Sequence, residues 1–499
     1  MKKQTRRNFI ACSGMGALGV MTGGVSLGAT TPPADGKAED GGSFRLTRNI
    51  PKDKVLYDVI VAGGGPGGVG AAISAARLGA RVLLLEATGC LGGMGTSGLV
   101  TAFDPMADGN QILVGGVMLE ILDKMYERGF LGPNHKHEDC KKRLNYWTHF
   151  HAEGYKLLLD ELTTEAGVEV RFFTRVVEAD ADAKKGIVNG IIQHNIEGMR
   201  YVKAKTYIDG TGDAVLAHLV GAKCFEAGKD TPGIMAPTLC SYHANIDFSR
   251  AVAIYTKHPI YEKALADGHF TQVDHHLPGM YRPGQTVGYL NGGHLYKMDA
   301  LNCESLSEGM KWGRRYVREF VSFYRKYVPG YENMELVATA SLMGVRESRR
   351  ILGEYELNIN DYMGRREFPD QIGVHNKAVD IHGYDASDEQ FQRYFKEYGS
   401  VRYKEGEHSG LPYSMLVPKG WRNLWVAGRS NSSDISVNGA IRAQATCNIM
   451  GQGAGTAAVQ SIRTGQPAND LNTETLVNTL RDAGVLLPQK TLSKTMTRT

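Results

Sequence analysis

DVIVAGGGPGGVGAAISAARLGARVLLLE, residues 58–86, decides the fold of this chain. Residues 59–62 form an apolar run long enough for one buried parallel strand. Gly63, Gly65 and Gly68 follow with G-x-G-x-x-G spacing, and a small-residue helix comes next, with Ala71, Ala72, Ala75 and Ala76. Gly79 stops that helix, and a second apolar strand over 81–85 ends on Glu86. Each part has a physical task in holding a dinucleotide. Gly63 permits the tight turn, Gly65 lets the backbone approach a pyrophosphate, and Gly68 lets the helix lie close to the sheet. The helix N-terminus brings free N–H groups and a positive dipole end to the phosphates. Glu86 can accept hydrogen bonds from a ribose diol. With 61 glycines in the chain the triplet alone decides little; strand, turn, helix, strand and acid in register identify a nucleotide site.

Outward from this stretch, the frame is that of a globular protein. The 499 residues are 42% hydrophobic and 22% charged, which predicts about two to three domains. A formal net charge of +4 and the absence of a long Lys/Arg run give no argument for a nucleic-acid partner. Seven scattered cysteines contain no C-x-x-C pair, so neither a zinc ribbon nor a c-type haem is legible. Residues 135–140 (HKHEDC), with His149 and His151, carry metal-ligand residue types. They lack two separated ligand pairs, so a polar loop is the preferred reading and no metal is assigned.

Residues 1–29 read as a targeting segment. Positive charge at Lys2 and Lys3, the pair Arg6-Arg7 before Phe9, a Gly-rich apolar stretch and small residues near Ala29 have the layout of a signal peptide. The arginine pair resembles the twin-arginine export signal, which carries folded proteins across the membrane, often with cofactor inserted. Export machinery is therefore an expected partner and the periplasm the expected location. The apolar stretch is too short and glycine-rich for a stable membrane span. Residues 30–52 are polar, with Pro and Gly, and read as a linker.

Beyond Glu86, LGGMGTSG (91–98) places more glycine just past a strand end, where backbone can pack against a flat ligand. With the 63–86 motif it resembles the FAD-dependent oxidoreductases related in fold to glutathione reductase and fumarate reductase. The resemblance implies that Glu86 holds the adenosine ribose and that Gly92, Gly93 and Thr96 border the cofactor, which makes FAD the favoured dinucleotide. It extends to IDGTGD (208–213), where Gly212 and Asp213 match a second cofactor-contacting turn; Asp213 can equally be an N-cap for a helix from Ala214. It returns in NLWVAGR (423–429) and the following Gly/Ala-rich helix, which add Gly428, Asn438 and Gly439 to the cofactor set. In such proteins that helix directs its N-terminus at the flavin ring. One departure stands out: Ile435 and Asn438 occupy positions where the family often carries two histidines.

The fold class implied is α/β, a doubly wound FAD-binding domain of Rossmann type with an inserted α+β substrate domain. The expected boundaries are 53–229 and 412–465 for the FAD-binding domain, 230–411 for the substrate or cap domain, and 466–499 for a C-terminal tail. Helices are expected over 111–131, 153–165 and 304–326, and strands over 168–173, 176–180, 187–195 and 200–202, with a separate short strand from 205. No second G-x-G-x-x-G follows a strand and no redox cysteine pair occurs, which argues against an NAD(P)-linked disulfide reductase.

The leading functional expectation is oxidation of a small hydroxylated molecule (sugar, polyol or hydroxy acid) by hydride transfer to flavin, with electrons passed to an acceptor the sequence does not name. His408 and Tyr413, just before the returning flavin segment, are candidate bases. Arg346 and Arg442 are candidates for polarising a substrate oxygen; in residues 344–350 (GVRESRR) the arginines beside a Glu serve either anion recognition or a salt-bridged helix turn. Two rivals remain at this point: an enoate reductase resembling fumarate reductase, and a flavin-binding module without catalysis.

Overall fold

A computed structural model of the chain describes residues 49–487. The signal-peptide reading and most of the 30–52 linker lie outside the described residues. Strand β1 (Lys52–Ala62) runs into helix α1 (Pro66–Arg77) and strand β2 (Val82–Leu85), so the opening motif folds as read. β1 and β2 pair in parallel, and β3 (Glu169–Arg171) adds in parallel outside β2. β4 (Arg175–Asp182), β5 (Ile187–Asn195) and β6 (Gly198–Asp209) form an antiparallel meander. The sheet order is β3-β2-β1-β6-β5-β4, and the returning strand Leu424–Val426 pairs with β6 in parallel. The fold class is thus α/β with a parallel sheet assembled from both ends of the chain.

One strand replaces two of those expected. Residues 200–202 and the segment from 205 are consecutive parts of β6, whose N-terminal half pairs antiparallel with β5 while its C-terminal half pairs parallel with β1. Its burial changes along its length from half-exposed to fully buried over Tyr207–Asp209, because one end lies in the meander and the other in the sheet centre. That shift of pattern mimics a strand boundary.

α1 packs on the long helix Gln444–Thr464 with the backbones almost touching. A Cβ on Gly451 would stand 1.9 Å from the Gly67 carbonyl oxygen, and one on Gly455 would stand 2.2 Å from that of Ala71. Only glycine permits this approach, which buries the whole of the later helix up to Ser461. The Gly/Ala-rich stretch is two helices rather than one, Ile435–Ile441 and Gln444–Thr464, broken where Ala443 turns extended (ψ 143°).

Hydrophobic burial divides the molecule differently from the sequence boundaries. One core gathers α1, the sheet's inner face, the helices Gly116–Glu127 and Ala152–Glu165, and residues from Leu357 to Val417. A second core draws almost entirely on residues from Leu239 to Met343, where the amphipathic helix Cys303–Tyr327 covers a small antiparallel sheet. Apolar residues from Leu357 to Leu411 therefore pack in the flavin-domain core, while His382 of the same stretch meets His294 on the cap side at 2.8 Å. The expected tail is also a packed element through 487: helix Thr473–Asp482 buries Leu476 and Leu480 in the first core. No helix among the described residues is long and apolar enough to cross a membrane.

Candidate functional site

A cavity of ≈ 510 Å³ runs from the turn after β1 to the contact between the two cores. At its nucleotide end Gly63 has φ +93°, and a Cβ there would lie 2.7 Å from the Gly210 carbonyl carbon, so two glycine turns meet without side chains. Glu86 Oε2 accepts from the Gly64 amide at 2.7 Å, and Oε1 accepts from the Thr88 amide and hydroxyl at 2.7 and 2.8 Å. These bonds fix the carboxylate at the strand tip, where it lines the cavity.

Gly63, Gly65, Glu86, Gly93, Gly212, Asp213, Gly428, Arg346 and Arg442 all line this cavity. The other named positions stand behind it. Gly68 closes α1 onto the turn, since a Cβ would lie 1.8 Å from the Gly63 carbonyl oxygen. Gly92 donates its amide to the Gly64 carbonyl at 2.8 Å, and Thr96 donates its hydroxyl to the Leu91 carbonyl at 2.5 Å. Asn438 donates to the Arg429 carbonyl at 2.9 Å, and Gly439 makes room for the Asp380 backbone. These five shape the cradle from outside.

Two candidate bases, Tyr413 and His408, lie away from this cavity. The Tyr413 hydroxyl donates to the Ala468 carbonyl and accepts from Trp425 Nε1, both at 2.8 Å, in the buried core. His408 lies 3.8 Å from Asp108 and does not line the cavity either. Tyr413 does meet the flavin segment, but at the buried Trp425 indole rather than on the cavity. The N-cap reading of Asp213 also fails. Ala214 caps the short helix Val215–Leu219 in the left-handed region (φ +50°), while Asp213 accepts from Ser348 Oγ at 2.6 Å and pairs with Arg429. Nor do the 344–350 arginines form a helix turn. Arg349 and Arg350 enter the strand Arg349–Ile351, and Arg346 points inward. The expected polar loop at 135–140 gives way to a short helix, His137–Lys142, with His137 bonded to Asp123 and His135 to Tyr146.

The inner end of the cavity holds a charge cluster in which the two arginines named from sequence, Arg346 and Arg442, join Asp104, Lys377, Asp380 and His382. Lys377 Nζ is 3.1 Å from Asp380 Oδ2 and 3.5 Å from Asp104 Oδ1. Arg442 Nη2 donates to the Asp380 carbonyl at 2.9 Å, and His382 Nε2 is 3.2 Å from Asp380 Oδ1. Arg346 Nη1 donates to the Ala236 carbonyl at 2.6 Å and to Thr238 Oγ1 at 3.0 Å.

The two carboxyls are driven in opposite directions. Burial pushes Asp104 above the ordinary carboxylate range, an effect Asp380 adds to and Lys377 only partly opposes. Burial acts on Asp380 too, but Lys377, His382 and Arg442 together hold it well below that range. Burial and the neighbouring Arg442 lower Arg346 to about 10, still cationic at neutral pH. Arg346, Arg442 and Lys377 outnumber the carboxyls of Asp104 and Asp380, so this end of the pocket is electropositive.

Arg442 Nε and Gln444 Oε1 are buried here with no partner among the described residues, one a donor and one an acceptor. The side-chain-free double turn and the fixed Glu86 carboxylate at the strand tip fit FAD.

Residues 58–480 match the family described as FAD dependent oxidoreductase, and the chain belongs to this family. Its cofactor is FAD, and it is an FAD-dependent oxidoreductase. No curated protein sequence matched the chain. Solved structures that resemble it include a geranylgeranyl bacteriochlorophyll reductase-like protein of Thermoplasma acidophilum, with 14% identity and TM-score 0.44 over 86% of this chain and 84% of that one. GidA of Aquifex aeolicus shows 13% identity and TM-score 0.44 over 87% and 69%. For p-nitrophenol 4-monooxygenase PnpA of Pseudomonas putida DLL-E4 the values are 12% and 0.40 over 86% and 81%.

Proposed function

We propose that this flavoenzyme oxidises a small hydroxy acid, with Asp104 as the base that takes the hydroxyl proton. The observation that carries the reading is the split pair of carboxyls around Lys377, Asp104 raised and Asp380 lowered. Two carboxyls whose surroundings drive them apart commonly divide acid–base labour. Asp104, raised above its ordinary value by burial, is the better proton acceptor; Asp380 serves as a fixed anion that holds Lys377, Arg442 and His382 in place. Arg346 and Arg442 supply charge for a substrate carboxylate, which favours a hydroxy acid over a neutral sugar or polyol. Bound FAD supplies the two-electron acceptor.

A second reading uses the same residues in reverse. The raised Asp104, protonated, would serve as the acid of an enoate reductase, with the arginines again on the carboxylate. The deciding experiment is anaerobic. A panel of hydroxy acids, polyols and sugars is mixed with the oxidised protein, and enoates are mixed with the chemically reduced protein. Bleaching of the visible flavin band by hydroxy acids alone supports the proposal. Recovery of colour with enoates alone replaces it with the second reading, and no response from either series favours a flavin-binding module.

Export through the twin-arginine route to the periplasm is part of the same proposal, supported by Arg6-Arg7 and the apolar stretch that follows. Its physiological acceptor would then be one available there. Replacing both arginines by lysine should hold the full-length protein in the cytoplasm on fractionation; unchanged export would remove the route.

A further inference from the structure

Beside the main cavity lies a second, smaller one of ≈ 20 Å³, and His382 lines both. Three histidines meet there from separate loops: His276 and His294 from the cap side, and His382 from the segment packed on the flavin core. One ring nitrogen from each lies within 4.8 Å of the others. His294 Nε2 faces His382 Nδ1 at 2.8 Å. The His276 ring stacks on His294 with centroids 5.0 Å apart and meets His382 edge-on at 5.2 Å.

The outer nitrogens of the facing pair are already committed. His294 Nδ1 is 3.2 Å from the Asp274 carboxylate, which also accepts from the His294 amide at 2.9 Å and the Tyr296 hydroxyl at 3.2 Å. His382 Nε2 is 3.2 Å from Asp380 Oδ1. A ring nitrogen beside an ionised carboxylate is the donor of its imidazole, so the opposite nitrogen presents a lone pair. Both facing nitrogens then present lone pairs, and at 2.8 Å they are reconciled by a proton held between them or, with modest opening of the pair, by a metal ion bound to both together with His276.

We propose that His276, His294 and His382 form a binding site for a divalent transition metal of the zinc class. Three neutral imidazoles suit such an ion and do not suit calcium or magnesium, which take oxygen ligands. Carboxylates on the far ring nitrogens, here Asp274 and Asp380, are the usual supports that orient metal-bound histidine. The small cavity is large enough for one water, about 10–15 Å³ being needed, which leaves room for a fourth ligand from solvent. The ion would tie two cap loops to the 376–387 segment, fixing the wall that carries Asp380 and His382 into the flavin cavity. The site does not depend on which substrate the enzyme oxidises.

The test uses the full chain with FAD bound. Metal content is measured on the protein as purified, then after chelation and titration with Zn²⁺ and with Co²⁺. The expected result is about one tight equivalent of metal per chain, Co²⁺ bands at wavelengths beyond the flavin absorption, and X-ray absorption fitted by three imidazoles. His276→Ala and His294→Ala should each weaken uptake at least tenfold while FAD content stays the same. Should either variant fail to fold, uptake and X-ray absorption of the unsubstituted protein decide alone. Absence of tight metal overturns the site, as does metal held by other ligands. Nitrogen-15 spectra showing one proton shared between His294 and His382 in metal-free and metal-treated protein alike would establish a proton relay in its place.

Discussion

Asp104 Oδ1 stands 3.5 Å from Lys377 Nζ, inside the wall of the flavin cavity and nine-tenths or more buried. At that distance the ammonium offsets only part of the burial penalty, so the carboxyl sits above its ordinary range. As a base it acts only when deprotonated. Activity on a hydroxy acid should therefore rise with pH through a limb displaced upward from that of an ordinary aspartate. Lys377, Asp380 and Arg442 are the charged groups that set its position. Asp104→Asn should remove that limb and lower kcat by about 10²–10⁴-fold, the usual worth of general base catalysis, with FAD retained. A pH profile of kcat/KM unchanged by the substitution would take the base role from Asp104.

Glycine substitutions in the cradle should separate strain from collision. Gly428 has φ +100°, but a Cβ there meets nothing closer than Cys447 Sγ at 3.9 Å. Gly428→Ala should cost about 1–2 kcal/mol of backbone strain and leave FAD bound. Gly63→Ala adds a 2.7 Å contact with the Gly210 backbone, so it should destabilise more and strip FAD from the purified protein. Unfolding midpoints and the flavin-to-protein ratio check both; equal effects would mean that the two turns do not pack as described.

What the sequence disclosed and what it hid follow from how each part is built. The nucleotide end is one contiguous stretch in which strand, turn and helix leave local signatures, so residues 58–86 were legible. The inner end is assembled from Asp104, Arg346, Lys377, Asp380, His382 and Arg442, carried mostly on loops with no period to read. Asp104, Lys377 and Asp380 had no local signal. Their meaning arises from burial beside one another. The same cause misplaced Tyr413, whose position next to a flavin-facing segment was read as proximity.

Arg442 should distinguish anionic from neutral substrates. Its Nη2 is held by Asp380, while its Nε is buried without a partner among the described residues. A hydrogen bond to a charged group is worth about 1.5–3 kcal/mol. Arg442→Met should thus raise KM for a hydroxy acid by about ten- to hundredfold and leave KM for an uncharged alcohol analogue nearly unchanged. Steady-state kinetics on a matched acid and alcohol measures the split, and a parallel rise for both would place Arg442 on the cofactor instead of the substrate.

Tyr413 and His408 should matter for stability and not for turnover. Trp425 is fully buried, and its indole N–H has the Tyr413 oxygen as acceptor at 2.8 Å. Tyr413→Phe strands that donor and removes the donor to the Ala468 carbonyl, where the chain enters its C-terminal helix. The cost should be about 1–3 kcal/mol, read as a lower unfolding midpoint. Turnover per bound FAD should be unchanged, because neither atom faces the cavity. His408→Gln should leave turnover equally intact, since the ring stands outside the cavity beside Asp108. A loss of tenfold or more in kcat per bound flavin in either variant would return that residue to the catalytic set and displace Asp104 from it.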